Sequence, residues 1–302
     1  MNFMKWIPAY FILSAIVLTV GIFSMVRWGF DYSIGFTGGS LIEVRYEPSN
    51  PSNETISTVL KDIYGLDSIV SSPSNNSVII KGKSIDDSGF VLVKSALDTL
   101  GTYELVRFES VGPVISGELI QKTIAAVITV SVIILGYLGW QFHEVRYGVS
   151  AVLAMFHDSL VLLGTFSLLG HFLGIELDVL FVTAMLTALS FSVHDTIVVF
   201  HRIQELKARF PRAFLEDILN AAVTETMSRS INNSVTIILM LLALTLMGGE
   251  SLFAFSLALL IGAITGTYSS PFIAVPLLLV WSKLELRLKA RGKGTRKAAV
   301  TA

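Results

Sequence analysis

The residue of this sequence best placed to do chemistry is Asp195, which stands in Leu189-Ser-Phe-Ser-Val-His-Asp-Thr-Ile-Val-Val-Phe200. It precedes His201 by six residues, about 9 Å of helix at roughly 1.5 Å per residue, so it lies inside the depth of a bilayer. Insertion scales put a mid-helix carboxylate at about 2.5–3.5 kcal/mol, so such a group faces a protein interior, finds partners and marks a functional site. Loss of water disfavours its charge and a nearby cation favours it. The sequence leaves that balance open, and an acid held between the two can exchange a proton. The candidate cation is Arg229, in Met227-Ser-Arg-Ser-Ile-Asn-Asn-Ser-Val-Thr236. Helical spacing puts Arg229, Asn232 or Asn233, and Thr236 on one face. A plainer reading makes Arg229 an interfacial cation and Asn233 a hydrogen-bonding group between helices. Ser192 and Asp195 share a face with Ala184 and Ala188, and Thr196 follows the acid directly. A second intramembrane acid, Asp158, follows His157 in Met155-Phe-His-Asp-Ser159. For His157 and His194 a satisfied core imidazole stands beside the functional reading.

Other chemistries find no footing. His143-Glu144-Val-Arg-Tyr147 begins like a zincin helix, but Tyr147 occupies the second ligand position, so no metal site is expected. There is no G-x-x-x-x-G-K-[ST] for ATP hydrolysis. There is no cysteine, which excludes disulfides and thiolate chemistry. No cofactor and no enzymatic activity are expected. An ion gradient suits an intramembrane acid, since one charge moved through 100 mV is worth about 2.3 kcal/mol.

These residues are positioned by a chain dissolved largely in something other than water. Of its 302 residues 53% are hydrophobic and 15% charged, with a net charge of -1, where soluble domains carry roughly 25% charged residues. Basic residues form no single face, so nucleic acid is not an expected partner. Uncharged runs long enough to cross about 30 Å of hydrocarbon occur at Ile7–Val26, Thr123–Phe142, Tyr147–Gly170, Val179–Phe200, Ser230–Gly249 and Ser251–Leu279. The first exceeds the roughly 7–15 residues of a signal h-region and reads as an anchor. Lys5, Arg146, the stretch with Arg202, Lys207, Arg209 and Arg212, and the tail from Lys283 to Lys297 fall on one side. The opposite short loops hold His171, Glu176, Asp178 and Glu250. Both termini are therefore expected in the cytoplasm.

Between the first two spans lies a polar stretch, with turn clusters at Pro48–Asn53 and Ser71–Asn76. A strand pattern at Ser40–Tyr46 precedes a helical repeat of Ile56, Val59, Leu60 and Ile63. Strand-like Asp67–Val70 and Ser77–Lys81 follow, then a helical face of Phe90, Val93, Leu97 and Leu100, then Tyr103–Phe108. The order β-α-β-β-α-β is that of a ferredoxin-like unit. The expected fold is thus a mostly α membrane protein, a six-helix transmembrane bundle carrying one α+β extracytoplasmic domain. Its divisions are 1–27 (N-terminus and first span), 28–118 (outer domain), 119–282 (spans two to six) and 283–302 (basic tail). In the sixth span Gly262 and Gly266, extended by Thr265, Ser269 and Ser270 toward Pro271 and Pro276, predict close helix packing.

Several segments together resemble the SecF family, the smaller membrane subunit of the SecD–SecF protein-export complex, related to resistance-nodulation-division transporters. Ser33-Ile-Gly-Phe-Thr-Gly-Gly-Ser-Leu-Ile-Glu-Val-Arg45 is similar to the family's D-F-T-G-G stretch. His157-Asp158 followed by Leu168-Leu-Gly170 resembles its third-span pattern. Ser192-Val-His-Asp-Thr-Ile-Val-Val-Phe-His-Arg-Ile-Gln-Glu205 resembles S-x-N-D-T-x-V-x-F-D-R-x-R-E, and Glu225-Thr-Met-Ser-Arg-Ser-Ile-Asn232 resembles E-T-x-x-R-T-x-N. Gly266-Thr-Tyr-Ser-Ser270 matches G-T-Y-S-S. Gly35, His194 and His201 depart from these motifs. The resemblance implies a proton relay of Asp195 with Arg229, supported by Thr196, His194, Asn232, Asn233, His157 and Asp158. It further implies work with SecD, the SecYEG translocon, YajC and a translocating preprotein, in the lipid of a bacterial cytoplasmic membrane, driven by the proton-motive force. A non-energised scaffold linking SecD to the translocon is the alternative. An independent small-molecule exporter is a third reading, weakened by the single six-helix half.

Overall fold

Length and apolar composition set most of the secondary structure. In the computed structural model, residues 2–47, 50–64, 66–72 and 77–285 are described, with side chains left aside at 62–64, 66–72, 113–116, 250 and 251. Parts of both expected turn clusters, and the basic tail beyond residue 285, lie outside the described residues. After a 3-10 turn at Phe3–Trp6 the helices and strands are α1 (Ile7–Arg27), α2 (Ile34–Thr37), β1 (Gly39–Tyr46), α3 (Asn53–Tyr64), β2 (Leu66–Ser72), β3 (Ser77–Gly82), α4 (Asp87–Asp98) and β4 (Tyr103–Val111). Then come α5 (Pro113–Phe142), α6 (Val145–Leu173), α7 (Val179–Arg209), α8 (Leu215–Met247) and α9 (Glu250–Ser269), the last followed by a π-helical turn at Ser270–Ala274. The chain divides into two compact units, Met1–Asp31 with Ala126–Ala302, and Tyr32–Ala125.

In the smaller unit four strands form an antiparallel sheet in the order β2-β3-β1-β4. Ile42, Val44 and Tyr46 of β1 alternate toward one face, as a strand's period of two requires. They pack with Val78 and Ile80 of β3 and with Ile56, Leu60, Val93 and Leu97 of α3 and α4. The repeats of α3 and α4 therefore bury the faces their spacing indicates; the side chain of Ile63 is outside the described residues. Tyr46 is 2% exposed, and its hydroxyl donates to the Leu97 carbonyl at 3.2 Å. Asp86 caps α4 by accepting from the Gly89 amide at 2.8 Å. That backbone hydrogen bond, and a second from Ser88, hold its carboxyl below the usual range. The turn into β1 needs Gly38 and Gly39, at φ 74 and 124, where a side chain is strained.

Among the described residues six helices are long and apolar enough to cross a membrane: Phe3–Arg27, Gly117–Phe142, Val145–Leu173, Val179–Arg209, Leu215–Met247 and Leu252–Glu285. Two outrun their apolar stretches. α7 continues nine residues past Phe200 and α8 begins fifteen before Ser230, where buried Ile203, Leu206, Leu219 and Ala222 continue the core and ion pairs flank it. Arg202 joins Glu205 on its own helix and Glu225 on α8, and Lys283 reaches Glu216. At the α5–α6 turn Glu144 accepts from Arg146 at 2.5 Å and Lys207 at 3.3 Å. Burial opposes the charge of Glu144, but these cations overcome it and hold its carboxyl below the usual range.

Close approach fixes the packing of the spans. A Cβ on Gly262 would stand 2.2 Å from the Ala188 Cβ, and one on Gly266 would stand 3.0 Å from the Ser192 Cβ. The glycines of α9 thus admit the Ala188–Ser192 face of α7. Gly21 and Gly164 meet in the same way, a Cβ on Gly164 falling 2.5 Å from the Gly21 Cα. Beside them the Ser24 and Ser167 hydroxyls are 2.7 Å apart. α1 is thereby seated on α6.

Candidate functional site: polar groups on both flanks of the fourth span

The eight residues singled out above do not form one hydrogen-bonded cluster. Half-buried Asp195 accepts a hydrogen bond from Ser230 Oγ of α8 at 2.6 Å. Asp195 lines a cleft of about 540 Å³ with Ser190, Phe191, His194, Asn233, Ser234 and Thr236, closed behind by Ala263, Gly266 and Thr267 of α9. Thr267 donates to Ser234 Oγ at 2.6 Å and so ties α9 to α8 at the cleft wall. His194, Asn232 and Asn233 are exposed.

Arg229 is also exposed, and among the described residues it makes no ion pair or hydrogen bond. The expected Asp195–Arg229 pairing is therefore absent from this conformation. Adjacent helical positions differ by about 100° around the axis, and the face turned to Asp195 starts one position later, at Ser230. That serine was not distinguished by sequence reasoning, since a hydroxyl beside an arginine carries no compositional signal.

In the buried interior Thr196 is 1% exposed; its hydroxyl donates to the Ser192 carbonyl at 3.0 Å and lies 2.9 Å from Ser270 Oγ. Asp158, 4% exposed, accepts from Ser192 and Ser269 hydroxyls at 2.6 Å each and faces His157 Nδ1 at 2.9 Å. The Ser192 hydroxyl is thus bonded to Asp158, and not to Asp195, which lies one turn away on the same helix. Ser269 and Ser270, read from the sequence as small packing residues, are hydrogen-bonding members of this buried network. The π-helical turn that starts at Ser270 accommodates Pro271, whose ring cannot continue an i→i−4 ladder.

The arrangement presents the Asp195 carboxylate to an accessible cleft while a buried network holds α6, α7 and α9 together. With this geometry in view, the chain was compared with known proteins. A family described as "Protein export membrane protein SecD/SecF, C-terminal" matches residues 92–284. The protein translocase subunit SecF of Thermobaculum terrenum is 36% identical over 297 residues, 93% of each chain. That of Vibrio alginolyticus is 36% identical over 286 residues, 92% of this chain and 89% of the relative. The crystal structure of SecDF from Thermus thermophilus, a translocon-associated membrane protein, superposes with a TM-score of 0.82 at 29% identity and covers 94% of this chain. A super-membrane-facing form of SecDF gives 0.69 and covers 97%. This chain spans 39% and 40% of those two longer chains. The chain belongs to the SecF family of protein-export membrane proteins.

Proposed function

We propose that this protein is the SecF-type subunit of a Sec translocase, working with SecD in the bacterial cytoplasmic membrane and using the proton-motive force to promote translocation of preproteins. The observation that carries the reading is the open cleft at Asp195. A carboxyl, an imidazole and an amide carried at membrane depth on an uncovered face are too costly to leave in hydrocarbon, so the cleft calls for covering helices. SecD supplies them in this reading, as the fused SecDF neighbours suggest. SecYEG, YajC and the preprotein enter by family resemblance. The lysines and arginines of the short loops support cytoplasmic termini and an extracytoplasmic Tyr32–Ala125 unit, whose strand order we read as ferredoxin-like.

In the proposed cycle, protonation of Asp195 turns a carboxylate acceptor into a neutral acid and weakens its bond from Ser230. A one-position rotation of α8 then exchanges Ser230 for Arg229, and the later loss of the proton is favoured by the cation. Thr196, His157 and Asp158 steady α7 against α6 and α9, and His194, Asn232 and Asn233 line the proton's approach. The Gly21–Gly164 contact passes the shift from α6 to α1, which leads by sequence into the outer unit. Reconstituted with SecD and the translocon, Asp195→Asn is expected to lose the gradient-dependent part of preprotein export. Full gradient dependence in that variant would leave the non-energised scaffold as the better account.

A further inference from the structure

Buried between α6, α7 and α9 is a carboxylate, Asp158 of α6, that this cycle uses only as a brace. Its surroundings are specific: three helices each direct one polar group at it, Ser192 from α7, Ser269 from α9 and His157 from α6 itself. Hydroxyls at 2.6 Å from both serines are at the separation of O–H groups donating to an ionised carboxylate, about 2.5–2.7 Å. Yet among the described residues no lysine or arginine is bonded to Asp158. The ionisable groups packed around it are few. On α9 there is Tyr268, its ring 6.5 Å from that of His157 and its hydroxyl donating to the Tyr10 carbonyl at 3.1 Å. α1 has no ionisable side chain between Tyr10 and Arg27. The α7 groups His194 and Asp195 line the cleft and make no hydrogen bond to Asp158.

That leaves His157. Its Nδ1 meets Asp158, and its Nε2 is buried with no hydrogen-bond partner among the described residues. A buried carboxylate needs a compensating charge or a proton. With one proton the His157–Asp158 pair is neutral; without it the interior holds a bare anion, which α6, α7 and α9 can satisfy only by parting to admit water. Two interacting groups of this kind titrate as one unit. We propose that His157 and Asp158 form a second proton-binding site, separate from Asp195, whose occupancy sets whether α6, α7 and α9 stay closed. What the proton does for export rests on the function proposed above; whether the pair binds one does not.

The test uses the full chain in lipid nanodiscs, isotope-labelled at the histidine rings and followed by solid-state NMR from acid to alkaline pH. The His157 signal is identified as the one missing from His157→Gln. The expected result is a His157 signal that changes with pH in the wild type and in Asp195→Asn, and that loses this response in Asp158→Asn. A wild-type His157 signal indifferent to pH, or an unaltered response in Asp158→Asn, overturns the proposal. Ser269→Ala keeps both titrating groups and removes one donor from the carboxylate. It is expected to shift the response, and should Asp158→Asn fail to fold, an unshifted response in Ser269→Ala overturns the proposal instead. Export by Asp195→Asn bears on the relay alone, so failure of one reading is told apart from failure of the other.

Discussion

Gly262→Ala isolates the contact on which the buried network depends. The new Cβ would stand 2.2 Å from the Ala188 Cβ, whereas carbon atoms rest about 3.5–4.0 Å apart, so α7 and α9 must separate by roughly 1.5 Å. Overpacking of this kind costs about 1–3 kcal/mol. The upper end applies because the obstructing atom is a Cβ fixed to backbone, and because separation pulls Ser269 away from Asp158. The reciprocal exchange tests the geometry: in Ala188→Gly with Gly262→Ala the Cβ at 262 meets only the Cα at 188, at 3.5 Å, an ordinary contact. One helix loses a glycine and the other gains one, so propensity terms of about 1 kcal/mol cancel. The double variant is expected within about 0.5 kcal/mol of the parent, giving a coupling of about 3 kcal/mol against the sum of the single changes. Titration of the purified chain with a denaturing detergent, read by tryptophan fluorescence, measures all four corners of the cycle. A double variant as unstable as Gly262→Ala alone would refute the claim that these two residues meet face to face.

Two further outcomes follow from other parts of the chain. Gly164→Ala, whose Cβ would fall 2.5 Å from the Gly21 Cα, should lose about 1–3 kcal/mol in the same titration. Gly136→Ala, with nothing within 4 Å, should be neutral or gain up to about 1 kcal/mol. In the smaller unit burial, aided by Tyr103 and Asp98, pushes the Tyr46 hydroxyl up to about 12, against about 10 for an unfolded tyrosine. The folded state favours the neutral phenol, so this stabilisation is complete below about pH 10 and is lost as pH rises toward 12. Tyr46→Phe should cost about 1 kcal/mol at neutral pH, by removing one of the two hydrogen bonds to the Leu97 carbonyl, which keeps that from the Leu100 amide, and should reduce the alkaline loss of strand signal in circular dichroism.

The six spans were legible because an apolar run of bilayer length has few other fates. Their extensions were not, since charges interrupt the apolar pattern in α7 beyond Phe200 and in α8 before Ser230, and the two are joined by pairs such as Arg202–Glu225, whose members lie 23 residues apart. The Gly262–Gly266 spacing announced close packing, and Ala188 and Ser192 are its partners. Gly21 and Gly164 announced nothing, because neither has a small residue four positions away to complete the pattern. At the candidate site the sequence exposed Asp195 through its cost in hydrocarbon, but rotational phase is invisible at that level. A single position on α8 separates Arg229, the cation chosen from sequence, from Ser230, the group that Asp195 meets. Asp158 was recognised as intramembrane, whereas its convergence with Ser192 and Ser269 depends on three helices meeting.

The length of α7 has a mechanical side. Fourteen residues separate Asp195 from the helix end at Arg209, a rigid arm of about 21 Å at roughly 1.5 Å per residue. A tilt of about 10° pivoting at Asp195 would sweep the tip of such an arm through about 4 Å. In the proposed cycle the loss of one hydrogen bond at Asp195 would thus be magnified at the far end of α7.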